Sequence, residues 1–384
     1  MKVALVHDHL VQDGGAEKVL LALQEIFPNA PTFTLLYDPK RVSKDFLGKD
    51  IRTSFLQKLP FGLKKYQWFL PLMPAATESH DLSEFDVVIS SSSAFAKGVI
   101  TKPGTLHICY CHTPTRYLWS DTHSYVQELN ANRLTKALLP ILLNKLRLWD
   151  RLSSERVDRF IANSRTVAER IRKYYNRDSD IIYPPVETEK FSVSEKPGTY
   201  YLAGGRLVSY KRFDLIIQAF NRLGLPLKIF GSGPLADTYR NEARSNIEFV
   251  GKVSDAEKAA LYRGAIAFIH PQEEDFGITA LESMAAGRPV IAYGRGGALE
   301  TVVPGVTGEF FQDQEWEDLA ATIIRFDASA YDPKTIRAHA EAFDSKVFKR
   351  RIAVFVSEAW KAHTSSGALE KEKRAERSIQ LANV

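Results

Sequence analysis

Short apolar runs alternate with segments of helical periodicity along the whole chain, and this alternation predicts an α/β fold. In the first half, the run at 3–6 leads through Gly14 and Gly15 into a segment of helical spacing, and the run at 87–90 leads into a small-residue loop. Strands are predicted there at residues 3–6, 32–36, 87–90 and 106–110, and helices at 133–150, 152–160 and 166–175. Repeated alternation of strands and helices is typical of a doubly wound parallel sheet.

A second series of the same kind follows Pro184 and Pro185, two adjacent prolines that prevent regular structure and mark a crossing between domains. Its strands are predicted at residues 200–203, 227–230, 247–250, 267–269 and 290–292, with a helix at 214–223. We therefore expect two doubly wound domains, residues 1–178 and 179–345. A helix at about 346–363 should pack back on the first domain, and residues 364–384 should form a charged, solvated tail.

Composition limits the number of domains and the class of protein. The chain has 384 residues, 45% hydrophobic and 25% charged, which is too long for one typical core. Lysine plus arginine exceed aspartate plus glutamate by 51 to 46, and this net charge of +5 is too mild for a dedicated nucleic-acid binder. Only Cys109 and Cys111 occur, which excludes a disulfide scaffold and fits a reducing cytosol. No apolar segment approaches the roughly 18–20 residues of a membrane span, and the first residues contain no signal-peptide core.

Glycines and cations follow the first strand of each predicted domain. Gly14 and Gly15 precede a helix, where backbone N–H groups can approach a phosphate, although a plain tight turn would look the same. They lack the spacing of a dinucleotide-binding turn. Arg206 and Lys211 follow the strand at 200–203 and together suit a diphosphate, with a solvated basic turn as the alternative.

Two carboxylates, Glu274 and Glu282, are eight residues apart. This spacing places Glu274 in the loop before a helix and Glu282 about two turns along it. If the helix begins near Gly277, its unpaired N–H groups can bind a phosphate or sugar oxygen. Acidic residues that merely cap a helix are the simpler alternative.

The segment from Glu274 to Glu282 resembles the E-x7-E motif of retaining family-4 glycosyltransferases, which have the GT-B fold. Further matching motifs occur in the family's order: Gly14-Gly15, Ala162-Asn163-Ser164, Tyr183-Pro-Pro-Val-Glu187, Gly205-Arg206 with Lys211, Gly231-Ser-Gly233 and Gly287-Arg-Pro-Val-Ile291. The resemblance spans nearly the whole chain. It implies two Rossmann-like domains that face a central cleft, an acceptor domain first and a nucleotide-sugar domain second.

The same resemblance implies a role for individual residues. Those that would bind the donor diphosphate are Gly15, Arg206 and Lys211. Glu282 would bind the ribose, Glu274 the hydroxyls of the transferred sugar, and Lys252 and Val253 would lie beside the base.

Backbone groups of Phe276, Gly277 and Ile278 would face the sugar and the phosphate, again by resemblance. One departure is that Arg212-Phe213 follows Lys211 where many relatives have glycine, which leaves open which cation contacts each phosphate.

His112, in the segment His112-Thr-Pro-Thr-Arg-Tyr-Leu-Trp119, resembles the family's active-site histidine. A capped turn with a hydrogen-bonded histidine is the alternative. The segment looks most like bacterial mannosyltransferases of polysaccharide and O-antigen (lipopolysaccharide) assembly that use GDP-mannose. The resemblance thus implies a retaining hexosyltransferase that needs no cofactor and no metal, with a nucleotide sugar as substrate. Alternatives are a UDP-sugar-dependent enzyme of the same fold, a sugar-nucleotide epimerase or phosphorylase, and a non-catalytic sugar-nucleotide-binding protein.

Basic residues are interleaved with aromatic ones in the first domain. Residues 51–77 contain Arg52, Lys58, Lys64 and Lys65 and no acid, a mixture that suits the interface of an anionic bilayer. Residues 129–149 repeat the pattern. We expect a cytoplasmic protein bound peripherally to the inner face of the cytoplasmic membrane, with a lipid-linked or glycan acceptor. Ordinary core helices with solvated lysines are the alternative.

Overall fold

The computed structural model of the protein describes residues 1–122, 133–196 and 198–382. These residues form two compact units. The N-terminal unit comprises Met1–Asn163, Val167–Ile182 and the chain from Lys349 onward, and the C-terminal unit comprises Ser164–Thr166 and Tyr183–Phe348. The main crossings between the units therefore lie a few residues after the expected boundaries at 178 and 345.

The N-terminal unit contains a seven-stranded parallel sheet of order β3-β2-β1-β4-β5-β6-β7. Its strands are β1 (Val3–His7), β2 (Thr32–Thr34), β3 (Ile51–Thr53), β4 (Val87–Ser92), β5 (Leu106–Cys111), β6 (Arg159–Ala162) and β7 (Asp180–Ile181). Its helices are α1 (Gly15–Ile26), α2 (Met73–Glu78), α3 (Arg133–Ser153), α4 (Arg165–Tyr175) and α12 (Ser345–Ala382). The first residues of α4 and of α12 are assigned to the C-terminal unit. All six residues of β4 and of β5 are buried, as expected for central strands that are covered on both faces.

The C-terminal unit contains a six-stranded parallel sheet of order β10-β9-β8-β11-β12-β13. Its strands are β8 (Tyr200–Gly204), β9 (Leu227–Phe230), β10 (Ile247–Gly251), β11 (Ala265–His270), β12 (Val290–Tyr293) and β13 (Gly308–Phe311). Its helices are α5 (Phe213–Leu223), α6 (Ala236–Glu242), α7 (Asp255–Arg263), α8 (Ile278–Ala285), α9 (Ala298–Thr301), α10 (Trp316–Arg325) and α11 (Pro333–Glu341). One apolar cluster lies on each face of this sheet.

Two helical predictions need correction. The helix expected at 152–160 is wrong, because a short 3-10 turn at Ser154–Arg156 leads directly into strand β6. Val157 and Phe160 are buried there, and a short apolar run cannot be assigned to helix or strand by periodicity alone. The last helix does not end near residue 363 but continues to Ala382. Its extension is rich in Ala, Leu, Glu, Lys and Arg, which are strong helix formers.

None of the helices in the described part of the chain is both long enough and apolar enough to cross a membrane. Residues 129–132, at the start of the second basic and apolar segment, lie outside the described residues. The rest of that segment belongs to α3. Cys109 and Cys111 pack in an apolar cluster with Phe160 and Tyr175, in agreement with the expected packing role.

Candidate active site

The strand order of each sheet identifies the position where a ligand can bind. In the N-terminal unit the chain leaves β1 toward β2 and later returns to the other side of β1 with β4, and β8 with β11 repeats this arrangement in the C-terminal unit. Loops that follow such neighbouring strands diverge and leave a crevice at the carboxyl edge of the sheet. Most of the predicted site residues follow β1, β5, β8 and β11.

Lys211 and Glu274 form an ion pair within the C-terminal unit. Lys211 ends a 3-10 turn at Ser209–Lys211 after β8, and Glu274 lies in the loop after β11. Both side chains are mostly buried, at 13% and 17% exposure. Lys211, predicted to bind the diphosphate, and Glu274, predicted to bind the sugar, are therefore in contact, and their charges compensate each other.

The loop after β11 ends in an uncapped helix. Gly277 has φ +88°, in the left-handed region that favours glycine, and α8 begins at the next residue, Ile278. No side chain caps this N-terminus, so its first N–H groups and the helix dipole suit an anion. The Phe276 ring stacks on Tyr183 at 5.3 Å between centroids and is buried, which leaves only its backbone for a ligand, as the resemblance implies.

A glycine-rich loop after β12 packs against the backbone of the Glu274 loop. The Gly297 N–H donates to the Glu274 carbonyl at 2.8 Å. A Cβ on Gly296 would lie 2.4 Å from that same carbonyl oxygen, and one on Gly297 would lie 2.4 Å from Phe276 Cα. Only glycines allow this close approach, which fixes the backbone that carries Glu274.

Glu282 is the fifth of the eight residues of α8, about one turn from its start rather than the expected two. It is only 4% exposed. Its carboxylate accepts a hydrogen bond from Lys258 Nζ at 2.8 Å and one from the Tyr262 hydroxyl at 3.4 Å. Burial raises the pKa of Tyr262 well above its ordinary value, with the Glu282 charge as a second cause. Glu274 and Glu282 are thus each paired with a different lysine.

His270, the last residue of β11, is a component of this site that the sequence analysis did not single out. Its Nε2 is buried without a hydrogen-bond partner among the described residues, 3.9 Å from Glu274 Oε2. Its Nδ1 lies 3.2 Å from Gln272 Nε2. Burial, with Lys211 as a further cause, lowers the pKa of His270 to about 3, so the ring is neutral at physiological pH. Its position at the carboxyl end of a central strand was the available signal.

The other predicted donor ligands lie at neighbouring strand ends. Arg206 follows β8 and is exposed, and Lys252 and Val253 follow β10, the first exposed and the second half-buried. Arg212 has φ +53°, a left-handed conformation that explains why glycine suits this position. Its guanidinium contacts Asp214 and donates to Gln314 Oε1 at 2.9 Å, whereas the neighbouring Lys211 pairs with Glu274.

In the N-terminal unit, His112 follows β5 and is 9% exposed. Its Nε2 is 2.7 Å from Ser91 Oγ, which is in turn 3.1 Å from His7 Nδ1. Burial, with His7 as the next cause, lowers the pKa of His112 to about 4. Gly15 is the first residue of α1, and Gly14 before it offers no side-chain cap.

Two buried aspartates hold the loops around His112. The Asp8 carboxylate accepts four backbone N–H groups, from Ser93, Ala94, Phe95 and Ala96, at 2.6 to 3.0 Å. Asp150, on α3, accepts from Lys97 Nζ at 2.5 Å. It also accepts hydrogen bonds from Thr115, Trp119 and Tyr175 at 2.8 to 2.9 Å. Thr115 and Trp119 belong to the His112 loop, which Asp150 thereby fixes to α3. Neither aspartate was predicted.

Among the described residues, no group of three or more His, Cys, Asp or Glu side chains has the arrangement of a metal site. His7 and His9, two residues apart at the end of β1, have different neighbours. His7 contacts Ser91 and Glu17, whereas the His9 ring lies 5.4 Å from the Tyr66 ring.

Comparison with known proteins agrees with this geometry. Residues 14–190 match the model of Glycosyltransferase Family 4, and residues 186–341 match that of Glycosyl transferases group 1. The two matches meet near the crossing between the units and together include every predicted donor residue. The chain belongs to the family-4 glycosyltransferases. It has the GT-B fold, with one doubly wound parallel sheet in each unit.

Individual relatives of this glycosyltransferase are distant. The alpha-1,3/1,6-mannosyltransferase of Dictyostelium discoideum is 24% identical, over 80% of this chain and 85% of that protein. The O-antigen chain mannosyltransferase C of Escherichia coli is 36% identical, but only over 24% of this chain and 27% of that protein. Among solved structures, HepE of Anabaena in complex with UDP has a TM-score of 0.69 at 17% identity, covering 93% of this chain and 100% of that one.

Proposed function

We propose that this glycosyltransferase moves mannose from GDP-mannose onto a lipid-linked or glycan acceptor of cell-envelope polysaccharide synthesis. The observation that carries the proposal is the Glu274 carboxylate, held by Lys211 beside the uncapped N-terminus of α8. A cation and free helix N–H groups suit a diphosphate, and a carboxylate suits sugar hydroxyls. Mannose as the sugar is supported by the names of two relatives.

The diphosphate leaves with its negative charge stabilised by this chain's own groups. Lys211, the α8 N-terminus and the exposed Arg206 can each stabilise the charge that develops on the leaving phosphate. Electrostatic stabilisation of this preorganised kind is worth several kcal/mol of barrier per group, about 2.7–4 kcal/mol in a measured case. We therefore propose that the reaction proceeds without a metal ion.

Transfer retains the anomeric configuration in this proposal. The oxygen of the acceptor hydroxyl forms a bond to C1 of the sugar on the same face from which the diphosphate departs. At the same time, the bond between C1 and the diphosphate oxygen breaks. The hydroxyl proton passes to the departing phosphate oxygen. Glu274 binds sugar hydroxyls and forms no bond to C1, and His112, neutral at physiological pH, offers a hydrogen bond rather than a charge.

Donor binding is tested by the thermal stability of the full chain with GDP-mannose, UDP-glucose and ADP-glucose. A ligand that binds only the native state adds about 2.7 kcal/mol at 100 times its Kd. We expect GDP-mannose to raise the Tm most, and replacement of Lys211 by Gln to remove most of that shift. The control is Lys228→Gln, since Lys228 pairs with Glu248 at the surface.

A larger rise in Tm with UDP-glucose than with GDP-mannose would mean that the donor is a UDP sugar and not GDP-mannose. No shift with any of the three, or an undiminished shift in the Lys211 variant, would contradict the site.

We propose in addition that the N-terminal unit binds an anionic membrane. Phe61 and Trp68 are 65% and 67% exposed, and Lys65 Nζ lies 4.0 Å from the Trp68 ring centroid. Lys58 and Lys64 are also exposed. Aromatic rings beside lysines are suited to the headgroup region, where each basic residue contributes about 1 kcal/mol.

Helix α3 carries a second exposed apolar strip in the same unit. Leu138, Ile141, Leu148 and Leu152 are each more than half exposed, and together with the exposed Lys145 they recur at helical spacing on one side of the helix. The other side of α3 packs in one cluster with Leu59, Leu63 and Tyr66. The two segments that the sequence singled out are therefore neighbours in the fold.

Two basic residues of these segments, Arg52 and Arg147, contact other groups of the protein. Arg52 donates two hydrogen bonds to Asp50 and lies 3.9 Å from Glu84, acids just outside the acid-free window. Arg147 donates to the Leu118 carbonyl. We therefore assign the membrane contact to Lys58, Lys64 and Lys65 rather than to Arg52.

Sedimentation with vesicles that contain anionic phosphatidylglycerol tests this surface. The double variant Lys64→Glu/Lys65→Glu removes at least about 2 kcal/mol of attraction, so its partition coefficient should fall at least about thirtyfold. The matched control reverses two exposed lysines elsewhere in the unit, Lys102 and Lys361. Equal binding by the two double variants, or no dependence on anionic lipid, would contradict the membrane proposal.

A further inference from the structure

A continuous line of buried polar groups connects helix α1 to His112 within the N-terminal unit. Glu17 Oε1 lies 3.8 Å from His7 Nε2. His7 Nδ1 lies 3.1 Å from Ser91 Oγ, and Ser91 Oγ lies 2.7 Å from His112 Nε2. None of the four residues is more than 9% exposed. The line crosses from α1 through β1 and β4 to the loop after β5.

The charge of Glu17 determines the direction of both hydrogen bonds in this line, His7 to Ser91 and Ser91 to His112. Burial alone would raise the pKa of Glu17, but its contacts with His7 and with its own backbone hold that pKa below its ordinary value. The carboxylate is therefore ionised and can only accept. His7 then carries its proton on Nε2, because a bare Nε2 would place a lone pair against a carboxylate oxygen.

The remaining protons follow from that one. With its proton on Nε2, His7 has a lone pair on Nδ1, which accepts the hydroxyl hydrogen of Ser91. The Ser91 oxygen then accepts from His112, so the proton of His112 lies on Nε2. Nδ1 of His112 is left with its lone pair.

The surroundings keep this acceptor uncharged. The titratable groups that act on His112 are His7, which lowers its pKa, and Asp8 and Glu17, which raise it, while burial has the largest effect. The pKa of His9, beside them, is also lowered by burial. Protonation at Nδ1 would bury a cation, so the ring is poor as a proton donor and well suited to accept one hydrogen bond.

We propose that Glu17, acting through His7 and Ser91, fixes the tautomer of His112 so that Nδ1 accepts a hydrogen bond from a hydroxyl of the transferred sugar. The identity of that hydroxyl group rests on the proposed function, whereas the tautomer does not. Glu17, His7 and Ser91 are positioning residues, since they act through His112.

The proposal also gives Gly14 a second role. A Cβ at this position would lie 3.1 Å from Glu17 Oε2, closer than an ordinary van der Waals contact. The glycine therefore leaves room for the carboxylate in addition to freeing the start of α1.

Long-range ¹H–¹⁵N correlation spectra of the full chain test the proposal directly, because they distinguish the two neutral histidine tautomers. The His112 signals are assigned as those lost in His112→Gln. We expect the Nε2–H form in the wild type. In Glu17→Gln, the side-chain amide can donate to His7 Nε2. The direction of both hydrogen bonds then reverses, and His112 moves toward the Nδ1–H form. Glu25→Gln is the matched control, since Glu25 lies on the same helix and pairs with Lys349 at the surface.

Ser91→Ala provides a second variant, because it interrupts the line without changing a charge. In this background, Glu17→Gln should no longer alter the His112 signals. With a donor that supports transfer, Glu17→Gln should lower kcat about 10- to 100-fold, by analogy with groups that orient metal-binding histidines, with little change in KM.

An Nδ1–H form in the wild type, or identical His112 signals in wild type and Glu17→Gln, would overturn the proposal. If the tautomer behaves as expected and no nucleotide sugar is consumed, the proposed function fails and the tautomer assignment stands.

Discussion

Replacing Glu274 by Gln should lower the rate of sugar transfer at least about 100-fold, and replacing it by Ala should abolish transfer. The carboxylate is held by Lys211, and its backbone is fixed by Gly296 and Gly297. The Gln variant keeps the shape but loses the charged acceptor for sugar hydroxyls. Loss of one preorganised polar group of this kind costs about 10²–10³ in kcat. The rate of nucleoside diphosphate release with a working acceptor measures the effect.

The matched control is Glu273→Gln, the same chemical change one residue earlier, at an exposed position. It should retain transfer. Undiminished transfer of the true substrate by Glu274→Gln would mean that Glu274 does not bind the sugar.

Replacing Asp150 by Ala should destabilise the N-terminal unit by about 3–5 kcal/mol, because removal of one partner leaves a buried charge without compensation. Lys97 is 2% exposed and lies 2.5 Å from Asp150. The same carboxylate also accepts from Thr115, Trp119 and Tyr175. The midpoint of urea unfolding, followed by tryptophan fluorescence, measures the loss.

Asp237→Ala is the surface control for this prediction. Asp237 is 93% exposed and pairs only with the nearby Arg240 among the contacts described, so its loss should cost at most about 1 kcal/mol. A change below about 1 kcal/mol in Asp150→Ala would show that the buried network does not stabilise the unit.

The architecture was predictable from sequence because strands of a parallel sheet are short, apolar and separated by helices. Strand β9 has the predicted bounds, and most other predicted strands differ from those observed by one or two residues. The prediction failed where a strand is short or lies at a sheet edge. Strands β3, β6, β7 and β13 were missed, since two to four residues carry no readable period.

The candidate site was only partly predictable, because a resemblance identifies residues that touch a ligand and not those that hold them. Lys211, Glu274 and Gly277 were identified by motif, and the structure brings them together at the ends of two neighbouring strands, β8 and β11. His270, Lys258 and Ser91 belong to no motif of the family that the sequence analysis used. Lys258 and Ser91 also lie more than 20 residues from the partners Glu282 and His112. Their roles depend on contacts between strands and helices, which no local pattern contains.

Surface electrostatics shows the same limit. Arg52 was selected because residues 51–77 contain no acid. Asp50 and Glu84 lie outside that segment, however, and both contact the Arg52 side chain. Lys65 and Trp68, three residues apart, meet because the chain turns tightly there. Charge counted along a segment therefore predicts a basic surface less well than charge counted among neighbours in space.

The central claim is that this chain transfers a sugar from a nucleotide donor bound at Lys211, Glu274 and the start of α8. The most direct measurement incubates the full chain with GDP-mannose, UDP-glucose or ADP-glucose and a membrane lipid extract as the source of acceptor. Release of nucleoside diphosphate is followed together with the anomeric configuration of the product. We predict acceptor-dependent release of GDP, an α-linked mannose in the product, and loss of both in Glu274→Ala. A product with inverted configuration, or release from GDP-mannose that is unchanged in Glu274→Ala, would contradict the account.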